Sequence, residues 1–332
     1  MSGYFKGKKV LVTGGTGLIG IPLVKKLVRK GAQVRVVSLD EGFPFEHDVE
    51  FIKGDLRDKD VCADVVRDIQ IVFHLAGIKG SIGVAKTKAS TFLIGNILID
   101  IQIMEAARKA AVENFLYVSS ICVYPPARVF KEKNAWTGLP HPSDRFGGIA
   151  KMVGEMQLEA YKLQYGLKNL FVVRPTNTYG PYDNFNPESS LVIPALIYRV
   201  LKGENPLKIW GDGSAVRDFL YSEDAADFLI LMVEKQVREP LNLGTGEPVS
   251  IKKLAETIAG NAHELTGKEV KIKWDTAKPA GEKYRVTSIE KARELLRWSP
   301  KTDIEEGIHK TMKWYKENKS RILKRFSILT EE

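Results

Sequence analysis

The feature that most constrains this chain is its first apolar stretch together with the glycines that end it, Lys9-Val10-Leu11-Val12-Thr13-Gly14-Gly15-Thr16-Gly17-Leu18-Ile19-Gly20. A short run rich in β-branched residues reads as a buried strand. Directly after it, Ile21, Val24, Leu27 and Val28 share one helical face, and Lys25, Lys26, Arg29 and Lys30 share the other. Strand, tight turn and helix therefore follow one another without a gap. Gly14 permits the turn, Gly17 lets backbone N–H groups approach a pyrophosphate, and Gly20 lets helix and strand pack closely. Leu18, Ile19 and Gly20 would present the free N–H groups and positive end of the helix to that phosphate. The spacing predicts a dinucleotide site. A glycine turn that binds nothing is the plain alternative, and the flanking strand and helix weigh against it. A phosphate loop is excluded, since no Gly-Lys-Ser/Thr closes the turn.

Strand and helix patterns continue to alternate, which predicts a parallel, doubly wound sheet. Residues 33–39 read as a second strand ending near Asp40 and Glu41. An acidic side chain about 20 positions past the glycines accepts bonds from the adenosine ribose and repels a 2′-phosphate. Asp40 lies there, with Ser38 as the other candidate for the strand end, so NAD is favoured and NADP is not excluded. Asp55, followed by Leu56, ends a third strand, as a partner for the adenine amine or as a plain turn aspartate. Residues 71–77 form a fourth strand, in which Leu75, Ala76 and Gly77 allow a cofactor to cross the sheet edge. Helices are expected near 89–111, 149–165, 192–202, 251–266 and 289–296, and a loop over 125–145. The expected fold class is α/β: a Rossmann-type doubly wound parallel sheet over 1–175, with a smaller C-terminal α/β substrate lobe over 176–315. Later strands of the sheet interleave around 205–245, and 316–332 form a tail.

Composition narrows the partners. Hydrophobic residues make up 44% of 332, enough for a full core. No run of 18 apolar residues and no signal-peptide core occur, so a cytoplasmic protein with no membrane partner is expected. Cys62 and Cys122 lie far apart without a CxxC, as free thiols in a reducing compartment do. The net charge of +9 suits an anionic ligand, and equally a solvated surface. No basic cluster interleaves with aromatics, so nucleic acid is not an expected partner. His47, His74, His141, His263 and His309 lack metal-ligand spacing, and no metal is expected.

Later markers add a resemblance. They are His74-Leu75-Ala76-Gly77, Asn96, Ser119-Ser120-Ile121-Cys122-Val123-Tyr124, Arg174-Pro175-Thr176-Asn177-Thr178-Tyr179-Gly180-Pro181, Gly211-Asp212-Gly213-Ser214-Ala215-Val216-Arg217-Asp218-Phe219 and Asn242-Leu243-Gly244. With the glycine turn, and in this order, the chain resembles the extended short-chain dehydrogenase/reductase family, in particular its nucleotide-sugar epimerases, dehydratases and reductases. The resemblance implies hydride transfer between a sugar and a nicotinamide, with a tyrosine as base and a lysine four residues later that lowers the tyrosine's pKa and holds the ribose. Lys151 matches that lysine, but the tyrosine position is Gly147.

Three readings follow. Another group, Cys122, Tyr124 or Tyr179, acts as acid or base with Ser120 orienting the substrate. Alternatively the protein binds sugar nucleotide without turnover, or Gly147 is an altered residue. Ile121-Cys122 stands where dehydratases carry Asp-Glu, which disfavours dehydration. Ser-x-Cys resembles the GDP-fucose synthases, whose cysteine is a base beside a ketone and whose histidine position is Leu191 here. Cys122 as a small buried residue is the alternative. The resemblance further implies Asn177, Arg217 and Arg285 as ligands of a GDP- or UDP-linked sugar, and a homodimer. Arg217 as a surface ion pair with Asp218 or Asp224 stays open. Trp210 and Tyr182 would flank a ring or pack in the core. The expected function is an NAD-dependent nucleotide-sugar epimerase passing through a transient ketosugar. The alternatives are an NADP-dependent ketosugar reductase/epimerase and a catalytically silent binding protein.

Overall fold

The computed structural model describes residues 3–40, 48–278 and 282–322. The first layer builds from β1 (Lys9–Thr13), α1 (Gly20–Arg29), β2 (Gln33–Ser38), β3 (Val49–Lys53), α2 (Lys59–Val65), β4 (Ile71–His74) and α3 (Ile82–Thr87). It continues through α4 (Asn96–Lys109), β5 (Asn114–Val118), β6 (Val129–Phe130), α5 (Arg145–Tyr165) and β7 (Leu170–Pro175). The second half holds β8 (Asn177–Tyr179), α6 (Val192–Leu201), β9 (Leu207–Trp210), β10 (Val216–Arg217), β11 (Phe219–Tyr221), α7 (Ser222–Glu234) and β12 (Leu241–Leu243). After these come β13 (Val249–Ser250), α8 (Ile251–Thr266), β14 (Ile272–Asp275), β15 (Tyr284–Thr287), α9 (Glu290–Leu296) and α10 (Ile304–Ile322).

Seven parallel strands form the main sheet in the order β12-β7-β5-β4-β1-β2-β3. Winding reverses between β1 and β4, so a crevice opens at their carboxyl ends, where this architecture binds ligands. Val10, Val12, Ile71, Phe73, Leu116 and Phe171 are buried in the central strands, as parallel strands covered on both faces require. Helix α7 and strand β12 return to this layer: Ala225, Phe228, Leu229, Leu241 and Leu243 join the core formed by α1 and β1. Strand β9 instead pairs with β14 in the second lobe. There a separate core gathers Ile197, Leu207, Leu254, Ile258, Ile308 and Met312.

The loop expected over 125–145 holds β6, the tail expected from 316 begins inside α10, and two helix starts differ from the pattern-based reading. The long helix expected over 89–111 begins with a wide turn at Thr91–Gly95 before α4 proper. Helix α5 starts at Arg145, four residues earlier than its apolar periodicity suggests, because Gly147 and Gly148 hide the start. Gly148 is required there, since a Cβ would collide with the Cys122 carbonyl and with Pro140. A Cβ at Gly147 meets nothing within 4 Å. The helix ends at Gly166, whose φ of 66° suits a left-handed cap.

Candidate active site

The glycine turn and the loop after β4 meet at the crevice. Gly14 has φ 64°, and a Cβ on it would lie 2.9 Å from the Ala76 backbone, so the two loops touch through backbone alone. Asn96 shapes the second loop: its Oδ1 accepts from the Ile78 N–H at 2.8 Å and its Nδ2 donates to the Ile78 and Phe92 carbonyls. No side chain caps α1, and no acidic residue lies in its first turn, which leaves the end of α1 at Leu18–Gly20 suited to an anion.

The adenosine end differs in detail from expectation. Ser38 is the last residue of β2; its hydroxyl bonds Thr16 at 2.7 Å and accepts from the Asp40 N–H at 3.3 Å. Asp40 therefore lies two residues past the strand end, and Glu41 lies outside the described residues. Asp55 is gripped by Arg57 through contacts of 2.8 and 2.6 Å. Burial would raise its pKa, yet this guanidinium holds the carboxyl below its usual range. Leu56 is buried, and its carbonyl receives the Cys62 thiol at 3.2 Å.

Lys151 projects from α5 toward a buried polar chain. Thr13 Oγ1 accepts from the Leu75 and Ala76 N–H groups at 3.1 Å each, so its own proton goes to His74 Nδ1 at 2.7 Å. His74 must then carry its proton on Nε2, which donates to Asp100 at 2.9 Å. Tyr117 donates to the other Asp100 oxygen at 2.5 Å, and Lys151 Nζ stands 3.4 Å from both oxygens. Burial opposes ionisation of Asp100, but Lys151, His74 and Tyr117 together keep its pKa low. Burial lowers the His74 pKa, which keeps the ring neutral. Asp100 was not singled out in the sequence; it looks like an ordinary polar residue on an apolar helix.

Ser120 follows β5, and its Oγ accepts from the Cys122 N–H at 3.1 Å. Cys122 is half-buried. Burial and the nearby Asp144 raise its thiol pKa more than Arg285 lowers it. The thiol form is favoured, so the lowered pKa that a resting thiolate base needs is not found at Cys122. Parallel pairing of β10 with β15 sets Arg217 directly beside Arg285. Arg285 Nη1 donates to Asp144 at 2.6 Å, and its Nε lies 3.1 Å from Glu282, too misaligned for a hydrogen bond. Arg217 donates to the Val216 and Glu282 carbonyls, and burial, then Arg285, lowers its pKa. The two adjacent guanidiniums lie beside the carboxylates of Asp144 and Glu282. An open cleft of about 740 Å³ adjoins them, lined by Arg128, Asp212, Ser214, Glu282 and Tyr284 among others. His141, from the loop before α5, stands 3.9 Å from Glu282.

Other expected site residues have structural duties. Tyr124 is 2% exposed; its hydroxyl donates to Asn242 at 2.6 Å and receives Arg174, and burial pushes it up to about 12. That removes Tyr124 as a replacement base. Tyr179 is buried among Phe219 and Tyr221, and burial raises its pKa as well. The Asn177 amide donates to the Asp218 carbonyl at 3.0 Å, bracing β11 rather than reaching for phosphate. Asp218 is fully buried and accepts from Thr245, Gly246 and Thr287, and Asp224 accepts from Lys301 and Thr302 N–H groups. Neither pairs with Arg217. Trp210 is 63% exposed rather than in the core, whereas Tyr182 packs on Trp314. Leu191 precedes α6 with no acid–base group to offer.

The NAD dependent epimerase/dehydratase family model matches residues 10–244, from the first strand through β12. The chain belongs to this family. A probable GDP-L-fucose synthase 1 from Oryza sativa subsp. japonica is 34% identical over 94% of this chain and 93% of its own. An epimerase from Methanothermobacter thermautotrophicus superposes with a TM-score of 0.85 at 29% identity, covering 97% of this chain and 96% of that one. A UDP-glucose 4-epimerase from Thermotoga maritima, solved with UDP-glucose, gives 0.80 at 30% identity, covering 93% and 99%. As a family member, the chain is an enzyme of the NAD(P)-dependent epimerase and oxidoreductase class. No described helix is long and apolar enough to cross a membrane.

Proposed function

We propose that this protein is a nucleotide-sugar epimerase that passes its substrate through a transient ketosugar and retains NAD. The observation that carries the reading is the convergence, beside α5, of Ser120 and Cys122 with the paired Arg217 and Arg285. Gly14, Gly17 and Gly20, with the N–H groups of Leu18, Ile19 and Gly20, would hold the cofactor pyrophosphate across the β1/β4 crevice. Leu75, Ala76 and Gly77 would line its path, and Asp40, Asp55 and Leu56 would flank the adenosine. Bound nicotinamide supplies the hydride acceptor and donor. Lys151, beside Gly77, would hold the nicotinamide ribose.

The substrate diphosphate would lie on Arg217 and Arg285, whose forked donors suit phosphate oxygens. Its GDP or UDP nucleoside would enter the adjoining cleft. Ser120 would orient the sugar hydroxyl. At the carbon made acidic by the neighbouring ketone, solvent would take the proton from one face, and Cys122, favoured as a thiol, would give one to the other face and be reprotonated from solvent. NAD is preferred because Asp40, two residues past the end of β2, is an acidic side chain of the kind that repels a 2′-phosphate. A ketosugar reductase using NADPH is the second reading, supported by the GDP-L-fucose synthase relative and the shared Ser-x-Cys.

The test is incubation of the purified protein with GDP- and UDP-sugars in D₂O, with either cofactor. Deuterium at carbon and a new diastereomer, without net oxidation of NAD, are expected. Net consumption of NADPH would replace the first reading with the second. Tight sugar-nucleotide binding without turnover would leave the catalytically silent protein as the answer.

A further inference from the structure

We propose that Asp100 is a positioning residue for Lys151: it fixes the ammonium in place and cancels its field in the empty space beside Gly147. Residues 147 and 151 stand one helical turn apart on the same face of α5. A Cβ at 147 would meet nothing within 4 Å, so a side chain can start from this position without a clash. An uncompensated ammonium close by would favour the charged form of any acid placed there. Lys151 is compensated. Both oxygens of a carboxylate that is 1% exposed lie 3.4 Å from its Nζ.

The remaining neighbours do not restore the charge. His74, from β4, is neutral, with its one N–H turned to Asp100. Tyr117, from β5, donates to Asp100 and lies under the Lys151 ammonium. Glu155, a turn further along α5, is paired with Arg174. Asp144, just before α5, is paired with Arg285. The ion pair Lys151–Asp100 therefore acts at a distance as a dipole, whose field dies away faster than that of a single charge. An absent side chain at 147 and a carboxylate at 100 belong together: Lys151 serves as a clamp and not as an activator of a phenol. Replacing Gly147 by tyrosine alone would not create a reactive base.

The test needs neither cofactor nor substrate, so its failure is separate from that of the epimerase reading. Gly147→Tyr is prepared alone and with Asp100→Asn, each labelled with ¹³C at tyrosine Cζ. The resonance absent from the unsubstituted protein is followed through a pH titration. In Gly147→Tyr the added phenol should titrate at about 10 or above, the ordinary value. With Asp100→Asn it should fall by about one unit or more as the ammonium is uncovered. A phenol already displaced well below 10 in Gly147→Tyr alone overturns the proposal, and so does an unchanged titration after Asp100→Asn. If Asp100→Asn loses its cooperative melt, Asp100→Thr carries the comparison. Gly147→Tyr leaves every buried group in place and can overturn the proposal unaided.

Discussion

His74 shows how much a single side chain is decided by its partners. In the sequence it is one apolar strand's only polar residue; in the fold it is 0% exposed and links Thr13 to Asp100. Burial lowers its pKa from 6.5, so the folded state resists the proton that the unfolded chain accepts. The unfolded state then binds more protons as the pH falls. This contribution to stability is complete above pH 6.5 and is lost as the pH drops below that value. Urea unfolding across about pH 7.5 to 5.5 should show stability falling with acid, and His74→Gln should flatten that slope whatever its overall stability. An equal slope in the variant would reassign the effect to other groups.

Among the elements, α5 carries the most contradictory demands. Its N-terminal turn holds two glycines, its second turn holds Lys151, and its middle holds the buried Glu155. Glu155 accepts from Ser119, Trp136 and Arg174, so the helix is fixed to β5 and β7 by charge-assisted bonds as well as by packing. Gly148 and Gly154 are demanded by the Cys122 carbonyl and the Tyr117 hydroxyl. Gly147 answers no such demand and has an ordinary helical backbone. Gly147→Ala should therefore stabilise the protein, by about 0.5 kcal/mol, through reduced freedom of the unfolded chain. A raised thermal midpoint checks this; a lowered one would reveal a packing role that the open space around Gly147 gives no sign of.

At the scale of the whole molecule, α4 and α5 lie side by side, joined where Gln157 donates to the Ile101 carbonyl. Their outer face leaves Leu98, Ile101, Met156 and Leu163 exposed at 38, 37, 53 and 82%. Apolar stripes of this kind are stable when covered. We propose a homodimer packed through these two helices. Size-exclusion chromatography with light scattering should give twice the mass of one chain, and Ile101→Glu with Met156→Glu should halve it. A monomer before substitution would end the proposal.

How much the sequence settles depends on how far apart the deciding residues are. The glycine turn, strand β1 and helix α1 occupy one short stretch, so local periodicity and glycine's conformational freedom determine them together. Alternation of strand and helix then dictates the parallel sheet, because right-handed crossovers leave few other topologies. Ser120, Cys122 and Lys151 are candidates through short local motifs that resemble the family's, just after β5 and within α5. The pairing of Arg217 with Arg285 is not, because 68 positions separate them and only the register of two short strands joins them. Asp100 meets Lys151 only once α4 and α5 converge. Tyr124 passes the other way, from candidate base to buried strut, because Asn242 and Arg174 meet its hydroxyl. Residue type and spacing fixed the cofactor turn. Charge and proton state at Lys151, Cys122 and His74 were decided by burial and by partners that only the tertiary structure supplies.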